Sequence, residues 1–224
     1  MGFVVIPGPV APAMWPRLTA TYDAAVSDAA PTDVRTGRTT TWVTDFLNRS
    51  AAFDELYLYK PILGACCNVI GRPFKLSTLH ARTLHPHVPA QDLHLDFPRG
   101  AEDRAVDKWP MVGFIFMVDA FQDENGATRF APGSHRWSGT PKDCPVDESE
   151  LVAGCGPASS VIVFNGSVWH GHGPNATDRP RRSIQGAYLQ LGEQSGVDLP
   201  ARMRPETLGR LSPLAKYLLA VYVP

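Results

Sequence analysis

Asp92-Leu93-His94-Leu95-Asp96-Phe97 alternates polar and apolar residues in the middle of the chain. That is the period of a β-strand with one buried face, and it sets Asp92, His94 and Asp96 on the same side. An imidazole and a carboxylate two positions apart on a strand reach one metal ion together. A second imidazole from a distant strand would complete a 2-His-1-carboxylate facial triad, a ligand set that holds Fe(II) and leaves coordination positions open. His-x-Asp alone is a weak signal, because such pairs also arise as surface polar residues or helix caps. The surrounding sequence has to supply the rest.

It supplies a second imidazole and a cation. Trp169-His170-Gly171-His172-Gly173-Pro174-Asn175 carries two late histidines, and Arg181-Arg182-Ser183 follows them. Iron held by His94, Asp96 and one late histidine still needs an organic acid to drive oxygen chemistry. A buried arginine is the natural partner for the distal carboxylate of such an acid, because its guanidinium fork makes bidentate, charge-assisted bonds.

The elements that must position these groups read as strands with helices at the two ends. Residues 1–30 carry prolines and then a helix, Met14 to Ala29, with Trp15, Leu18, Tyr22 and Ala25 on one face. Thr32 to Arg38 reads as a polar loop, and Thr39 onward as β-rich. Ser50 is a reasonable N-cap for a second helix through Phe53, Leu56, Leu58 and Ile62, which Pro61 kinks or restarts. Phe74 to His85 reads as a strand, with Leu76, Thr78, His80 and Arg82 alternating against Lys75, Ser77, Leu79 and Ala81. His80, His85 and His87 have no carboxylate at strand spacing beside them, so a polar face accounts for them better than a metal does. Pro98 to Pro110 is a charged loop that follows the His94–Asp96 pair, a lid or a plain connector. Met111 to Phe121 is nearly continuously apolar and suits a central strand buried on both faces. Asn125-Gly126 and Pro132-Gly133-Ser134-His135 are turn signals around a strand Thr128 to Ala131, with His135 a structural turn residue. Residues 136–158 look irregular. Val161 to Phe164, Val168 to His170 and Arg181 to Leu191 are strands, and Pro205 to Val223 a closing helix. Strands punctuated by tight turns, with helices gathered at the ends, predict an all-β jelly-roll core in one domain. The expected layout of residues 1–224 is a helical support over about 1–70, the core over about 71–195 and a C-terminal helix over about 205–223.

Composition narrows the classes. The chain has 224 residues, 44% of them hydrophobic and 19% charged, which suits a packed core rather than disorder. A formal net charge of -1 gives no electrostatic reason to expect nucleic acid or an anionic membrane as partner. Cys66, Cys67, Cys144 and Cys155 show no Cys-x-x-Cys spacing, so reduced thiols and a cytoplasmic location are expected. The opening Met-Gly-Phe-Val-Val-Ile-Pro fails as a signal peptide, Ile6 argues against myristoylation, and no apolar run approaches a membrane span. The sequons at Asn48, Asn165 and Asn175 therefore read as accidental.

Four segments together resemble the phytanoyl-CoA hydroxylase family of Fe(II)/2-oxoglutarate dioxygenases: His94-Leu95-Asp96, the run Glu124-Asn125-Gly126-Ala127-Thr128-Arg129-Phe130-Ala131-Pro132-Gly133-Ser134-His135, His170-Gly171 through Asn175, and Arg181. They occur in the right order across roughly the C-terminal two thirds of the chain. The resemblance implies a double-stranded β-helix, cupin-like core. It implies His94, Asp96 and His170 as iron ligands and catalytic centre, and Arg181 as the anchor of the 2-oxoglutarate C5 carboxylate. His172 is the rival of His170, but the family pattern places the ligand before a small-residue turn and Asn175, as His170 is placed. Arg182 is the rival of Arg181 and lies on the opposite strand face. Ser183 shares the face of Arg181, and Gln91 and Thr78 are further candidates for the 2-oxoglutarate pocket.

The implied chemistry uses Fe(II), 2-oxoglutarate and O2 to hydroxylate an aliphatic carbon of a small organic metabolite, with release of succinate and CO2. In related halogenases the carboxylate position is Ala or Gly; Asp96 favours hydroxylation, or a desaturation or ring closure. Phe97, Arg99 and Trp109 on the loop, Arg129, and Trp137 beyond the Pro-Gly-Ser-His turn are candidates for contact with substrate. Trp42, Trp137 and Trp169 are equally core candidates. The expected partners are a small molecule, no nucleic acid and no membrane, in a monomer or homodimer. A rival reading is a cupin-like metal-dependent enzyme or binding protein without oxygen chemistry, against which Arg181 speaks. A barrel with a dead site would show eroded ligands, and none is eroded.

Overall fold

The computed structural model describes residues 1–221. Its strands are β1 (Phe3–Pro7), β2 (Val34–Thr36), β3 (Thr40–Val43), β4 (Phe74–Leu84), β5 (Met111–Met117), β6 (Thr128–Phe130), β7 (Val152–Ala153), β8 (Ser160–Asn165), β9 (His170–His172) and β10 (Arg181–Gln190). They make a seven-stranded sheet in the order β1-β8-β5-β10-β4-β3-β2 and a three-stranded sheet in the order β7-β6-β9. The recorded pairings are antiparallel, for example Ser183 against Met117 and Gln185 against His80. The two sheets form a jelly roll, and the functional face lies between them.

Strand β5 shows why the large sheet is the centre of the molecule. Its apolar run has no polar face to give to water, so it pairs on both edges and buries both faces. Val112, Phe114 and Phe116 join the core beneath the helices, while Ile115 and Met117 join the core between the sheets with Phe130, Ile162 and Phe164. Each such side chain contributes about 1.5–3 kcal/mol on burial. The helix-side core is closed by Trp15–Ser27, which buries Leu18, Tyr22 and Ala25 along one stripe, and by Lys60–Val69, which buries Ile62 and Cys66.

Several local expectations are corrected. The N-terminal segment is not only helical support: β1 pairs with β8, and β2 and β3 extend the other end of the same sheet. Val34–Thr36, expected as loop, is the edge strand β2, held by Arg35 opposite Trp42. Ser50 caps only a 3-10 turn, its Oγ accepting from the Ala52 amide, and Pro61 starts a separate helix. On β4, Leu76 does not share the face of Thr78, His80 and Arg82. The register with β10 slips between Ala187 and Tyr188, Thr78 pairing with Ala187 and Leu76 with Tyr188, so Ser77 is an extra residue and Leu76 turns to the helix-side core. The charged loop after Pro98 contains a short helix, Ala101–Ala105. The C-terminal helix is broken into Pro205–Arg210 and Pro213–Leu218, because Pro213 has no N–H to continue it and Ser212 caps a new start. Residues 222–224, including the expected helix end at Val223, lie outside the described residues. Among those described, no helix is long and apolar enough to cross a membrane.

Candidate functional site

His94 and Asp96 are not on a regular strand. The connection from β4 to β5 touches β9 through one antiparallel bridge, His94 opposite His170, each amide donating to the other's carbonyl at 2.9 Å. The chain then bends so that the Asp96 and Phe97 amides both donate to the Gly166 carbonyl, at 2.9 and 3.1 Å. Two successive amides on one acceptor are incompatible with extended strand geometry, and the expected alternation ends there. The bend turns the Asp96 carboxylate toward the two imidazoles; Asp92 stays exposed and apart from the cavity.

The result is a compact donor set. One ligand atom from each of His94, Asp96 and His170 lies within 4.8 Å of the other two. The Asp96 oxygens are 3.6 Å from His94 Nε2 and 3.7 Å from His170 Nε2, too long for hydrogen bonds and short enough to share an ion. Donors bonded at about 2.1 Å to one octahedral ion stand about 3 Å apart, so the ion draws the three inward only slightly. His170 Nδ1 donates to the Val168 carbonyl at 2.9 Å, which fixes the tautomer and leaves the Nε2 lone pair for metal. Its ring is 7% exposed and packs against both Phe130 and Phe164 at centroid distances of 5.7 and 4.8 Å, the two phenylalanines also being in contact with each other at 5.7 Å. Burial, and then the neighbouring His170, hold the His94 imidazole below its ordinary range, in the neutral form a metal requires.

Arg181 enters the same cavity from β10. It is 4% exposed, its guanidinium carbon lies 3.8 Å from the Phe121 ring centre, and Nε and Nη1 have no hydrogen-bond partner among the described residues. Burial, and then the nearby Arg82, bring its pKa down to about 9, so it remains a cation at neutral pH. A buried guanidinium with unmet donors is costly unless an anion meets it. The cavity it shares with the triad has a volume of about 390 Å³, room for a dicarboxylic acid chelating an ion at one end and meeting Arg181 at the other. The donor set therefore fits ferrous iron, and the orphaned fork fits the acid.

The other sequence candidates divide sharply. Gln91 and Thr78 line the cavity. The Gln91 amide oxygen accepts from Arg82 at 3.4 Å, and Thr78 Oγ1 stands 3.2 Å from His80 Nδ1. Ser183 is 1% exposed and already engaged, donating to the Arg82 carbonyl at 3.1 Å and accepting from Gln185 at 3.3 Å. His172 reaches the cavity wall, but its Nδ1 donates to the Gly173 carbonyl and its Nε2 meets Thr39 Oγ1 at 3.2 Å, so it stays outside the triad. Arg182 points the other way, into Asp119 and Asp23.

None of the five expected substrate contacts lines the triad cavity. The bend at Asp96–Phe97 carries the following loop to another side of the molecule. There Arg99 lies 3.9 Å over the Trp109 ring, and Trp109, 7% exposed, donates to the His135 carbonyl. Arg129 alternates away from the cavity-lining Thr128 and pairs with Glu148 at 3.4 Å; Trp137 is exposed and sits edge-on to Trp169. In their place stand Trp42, His80, Arg82 and Gln185. The period-two series Thr78, His80, Arg82 carried that signal in the sequence, but nothing local showed which face of β4 met the site.

The sequence model of the phytanoyl-CoA dioxygenase (PhyH) family matches residues 1–183. The chain belongs to that family. Curated relatives include Dioxygenase cdmA of Talaromyces verruculosus, 38% identical over 111 residues, covering 48% of this chain and 36% of that protein. Dioxygenase ALT11 of Alternaria alternata is 29% identical over 209 residues, covering 82% and 66%. The chain spans about half the length, or less, of relatives such as cdmA, af480 and sphC. Among solved structures, HygX from Streptomyces hygroscopicus with nickel, 2-oxoglutarate and hygromycin B superposes with a TM-score of 0.67 at 17% identity, covering 87% of this chain and 85% of that one. The epimerase SnoN in complex with Fe3+, alpha ketoglutarate and nogalamycin RO gives 0.67 at 20% identity, covering 88% and 83%. These likenesses place the PhyH family chain on the same jelly-roll fold.

Proposed function

We propose that this protein is an Fe(II)/2-oxoglutarate-dependent oxygenase that hydroxylates an aliphatic carbon of a small organic molecule. The observation that carries the proposal is the unpartnered, buried Arg181 guanidinium facing the same cavity as His94, Asp96 and His170. A metal site built only for binding or for non-oxidative chemistry has no use for that second, anion-seeking group.

His94, Asp96 and His170 would hold the iron, and Arg181 would hold the 2-oxoglutarate carboxylate remote from it. When bound, iron and 2-oxoglutarate supply the oxidising power: O2 is split, 2-oxoglutarate leaves as succinate and CO2, and one oxygen atom enters a substrate C–H bond. The chain's own work is placement and exclusion. The Val168 carbonyl orients His170, while Phe130 and Phe164 fix its ring and keep water from that side. Asp96 occupies the third ligand position with a carboxylate, which supports oxygen insertion over halide transfer. Relatives named dioxygenases support the same reading. We further propose one domain working as a monomer or homodimer inside the cell, consistent with four free cysteines, of which Cys67, Cys144 and Cys155 are exposed.

The test is O2-dependent conversion of 2-oxoglutarate to succinate by the iron-loaded protein, run alone and against a panel of small metabolites. Succinate formation that needs iron and is lost in His94→Ala supports the proposal; no succinate under any of these conditions overturns it.

A further inference from the structure

The triad and Arg181 leave one strongly charged group of the cavity unused. Arg82 projects from β4 into the same space. Its guanidinium carbon lies 4.9 Å from the Trp42 ring centre, and the same indole stacks on His80 at 5.4 Å and 25°. Its best hydrogen bonds are to two neutral amide oxygens, Gln185 and Gln91, both at 3.4 Å, near the outer limit of such a bond. The carboxylate whose charge reaches it is Asp96, which is committed to the metal. Arg82 is thus an oriented cation without a counter-ion of its own among the described residues.

Charge balance says what is missing. Setting the imidazoles aside, the charged side chains on the cavity wall are Arg82, Arg181 and Asp96. A ferrous ion and a 2-oxoglutarate dianion cancel each other, so the loaded site retains a single positive charge. Arg82 and Arg181 also repel one another across the cavity. Two like charges in a partly dry space are tolerated when each meets an anion, and the cosubstrate's remote carboxylate meets only one of them. The planar fork of Arg82, backed by an indole, has the shape that receives a carboxylate bidentately. Trp42, 36% exposed, offers its remaining surface to an apolar body attached to that carboxylate.

We propose that Arg82, backed by Trp42 and flanked by Gln91 and Gln185, receives a carboxylate of the substrate, so that the molecule oxidised is a small organic acid bound as a monoanion. This rests on the oxygenase reading, since it takes Arg181 and the metal to be occupied by 2-oxoglutarate.

The experiment uses the full chain loaded with Mn(II) in place of iron and saturated with 2-oxoglutarate. It is titrated calorimetrically with benzoate and with benzamide, which share a shape and differ in charge. Benzoate should bind at least tenfold more tightly, and Arg82→Gln should erase that preference while Arg82→Lys restores part of it. Arg82→Gln should leave the affinity for 2-oxoglutarate within threefold, whereas Arg181→Gln should weaken it tenfold or more. Equal binding of the two probes by the unsubstituted protein, or a benzoate preference that survives Arg82→Gln, overturns the proposal. So does a loss of 2-oxoglutarate affinity in Arg82→Gln as large as in Arg181→Gln, which would assign Arg82 to the cosubstrate. Those failures leave the oxygenase reading standing; no binding of 2-oxoglutarate to the Mn(II)-loaded protein would overturn both.

Discussion

Arg181 and Arg182 are neighbours on β10 with opposite surroundings. Arg182 reaches Asp119 at 2.7 Å and Asp23 at 2.6 Å, and these carboxylates push its pKa up. Arg181, one residue earlier, is buried against Phe121 with two of its nitrogens unpartnered. Strand alternation alone separates them: one guanidinium is spent on ion pairs, and the other is left unpartnered at the cavity wall.

The first prediction follows from that division. Arg181→Ala should raise the concentration of 2-oxoglutarate needed for half-maximal succinate formation by tenfold or more, with little loss of stability. Arg182→Ala should leave that requirement nearly unchanged and lower the unfolding free energy by about 1–2 kcal/mol, because Asp119 loses its partner in a half-buried position. Steady-state kinetics beside urea titrations decide it, and a reversed ranking would reassign the faces of β10.

A second prediction separates ligand roles from packing roles within the triad. His94→Ala and Asp96→Ala should each weaken Mn(II) binding by more than tenfold and abolish succinate formation while leaving the urea midpoint close to that of the parent. Both side chains are about one third exposed on a loop. His170→Ala should lose metal equally but also destabilise by about 2 kcal/mol, because its buried ring packs against both Phe130 and Phe164 and its removal leaves a cavity beside them. A destabilised Asp96→Ala, or a His170→Ala as stable as the parent, would contradict this split.

What could be read from residue types was the chemistry: an imidazole and a carboxylate two apart, a later imidazole, an arginine on the next strand, and the alternating runs that make a jelly roll. What could not be read was pairing at a distance. That Trp42 faces Arg82 depends on the register of β3 against β4, which neither strand states alone. The slip at Ser77 reverses the face of Leu76, and only the β10 partner reveals it. For Phe97, Arg99 and Trp109 the sequence offers only their place in the loop that follows Asp96. The bend onto Gly166 sends them elsewhere, and its cause is a carbonyl from a remote turn.

Asn175 provides a third prediction. It is fully buried, and its side chain donates to the His85 and Arg179 carbonyls while accepting from the Thr177 amide and hydroxyl. Asn175→Ala should cost about 2–4 kcal/mol in urea unfolding, since buried carbonyls are left without donors. Metal affinity should fall by less than in His94→Ala, because the residue ties loops together and touches no ligand. An Ala variant as stable as the parent would show that water replaces those bonds.

Acid should destabilise the metal-free protein through histidines outside the triad. His80 and His135 are both held down to about 4, each by burial first and a neighbouring arginine second. Their unfolded value is near 6.5, so the unfolded chain takes up these protons first. The stability they confer is complete above about pH 6.5 and is lost as pH falls toward 4, at no more than about 1.4 kcal/mol per pH unit for each. His135→Asn should therefore flatten the decline in unfolding free energy between pH 6.5 and 4.5 relative to the parent. An unchanged slope would mean that His135 is protonated in the fold without penalty.

The last prediction concerns a residue with no side chain. A Cβ at Gly171 would lie 2.9 Å from the Gln91 carbonyl oxygen and 3.1 Å from that of Asp92, both backbone atoms of the loop that carries His94. The loop can lie flat on β9, and His94 can bridge His170, only because position 171 is glycine. Gly171→Val must push that loop outward, and with it His94, away from the Asp96 and His170 donors that now lie within 4.8 Å of it. Mn(II) affinity should therefore fall at least tenfold. The cost in stability should be about 1–3 kcal/mol, the usual range for overpacking, and no larger because the displaced segment is a loop and not part of either core. Adding His94→Ala to Gly171→Val should reduce metal affinity by less than His94→Ala does in the parent, since both act on the same ligand. Additive losses would show that Gly171 shapes the fold without positioning the metal site.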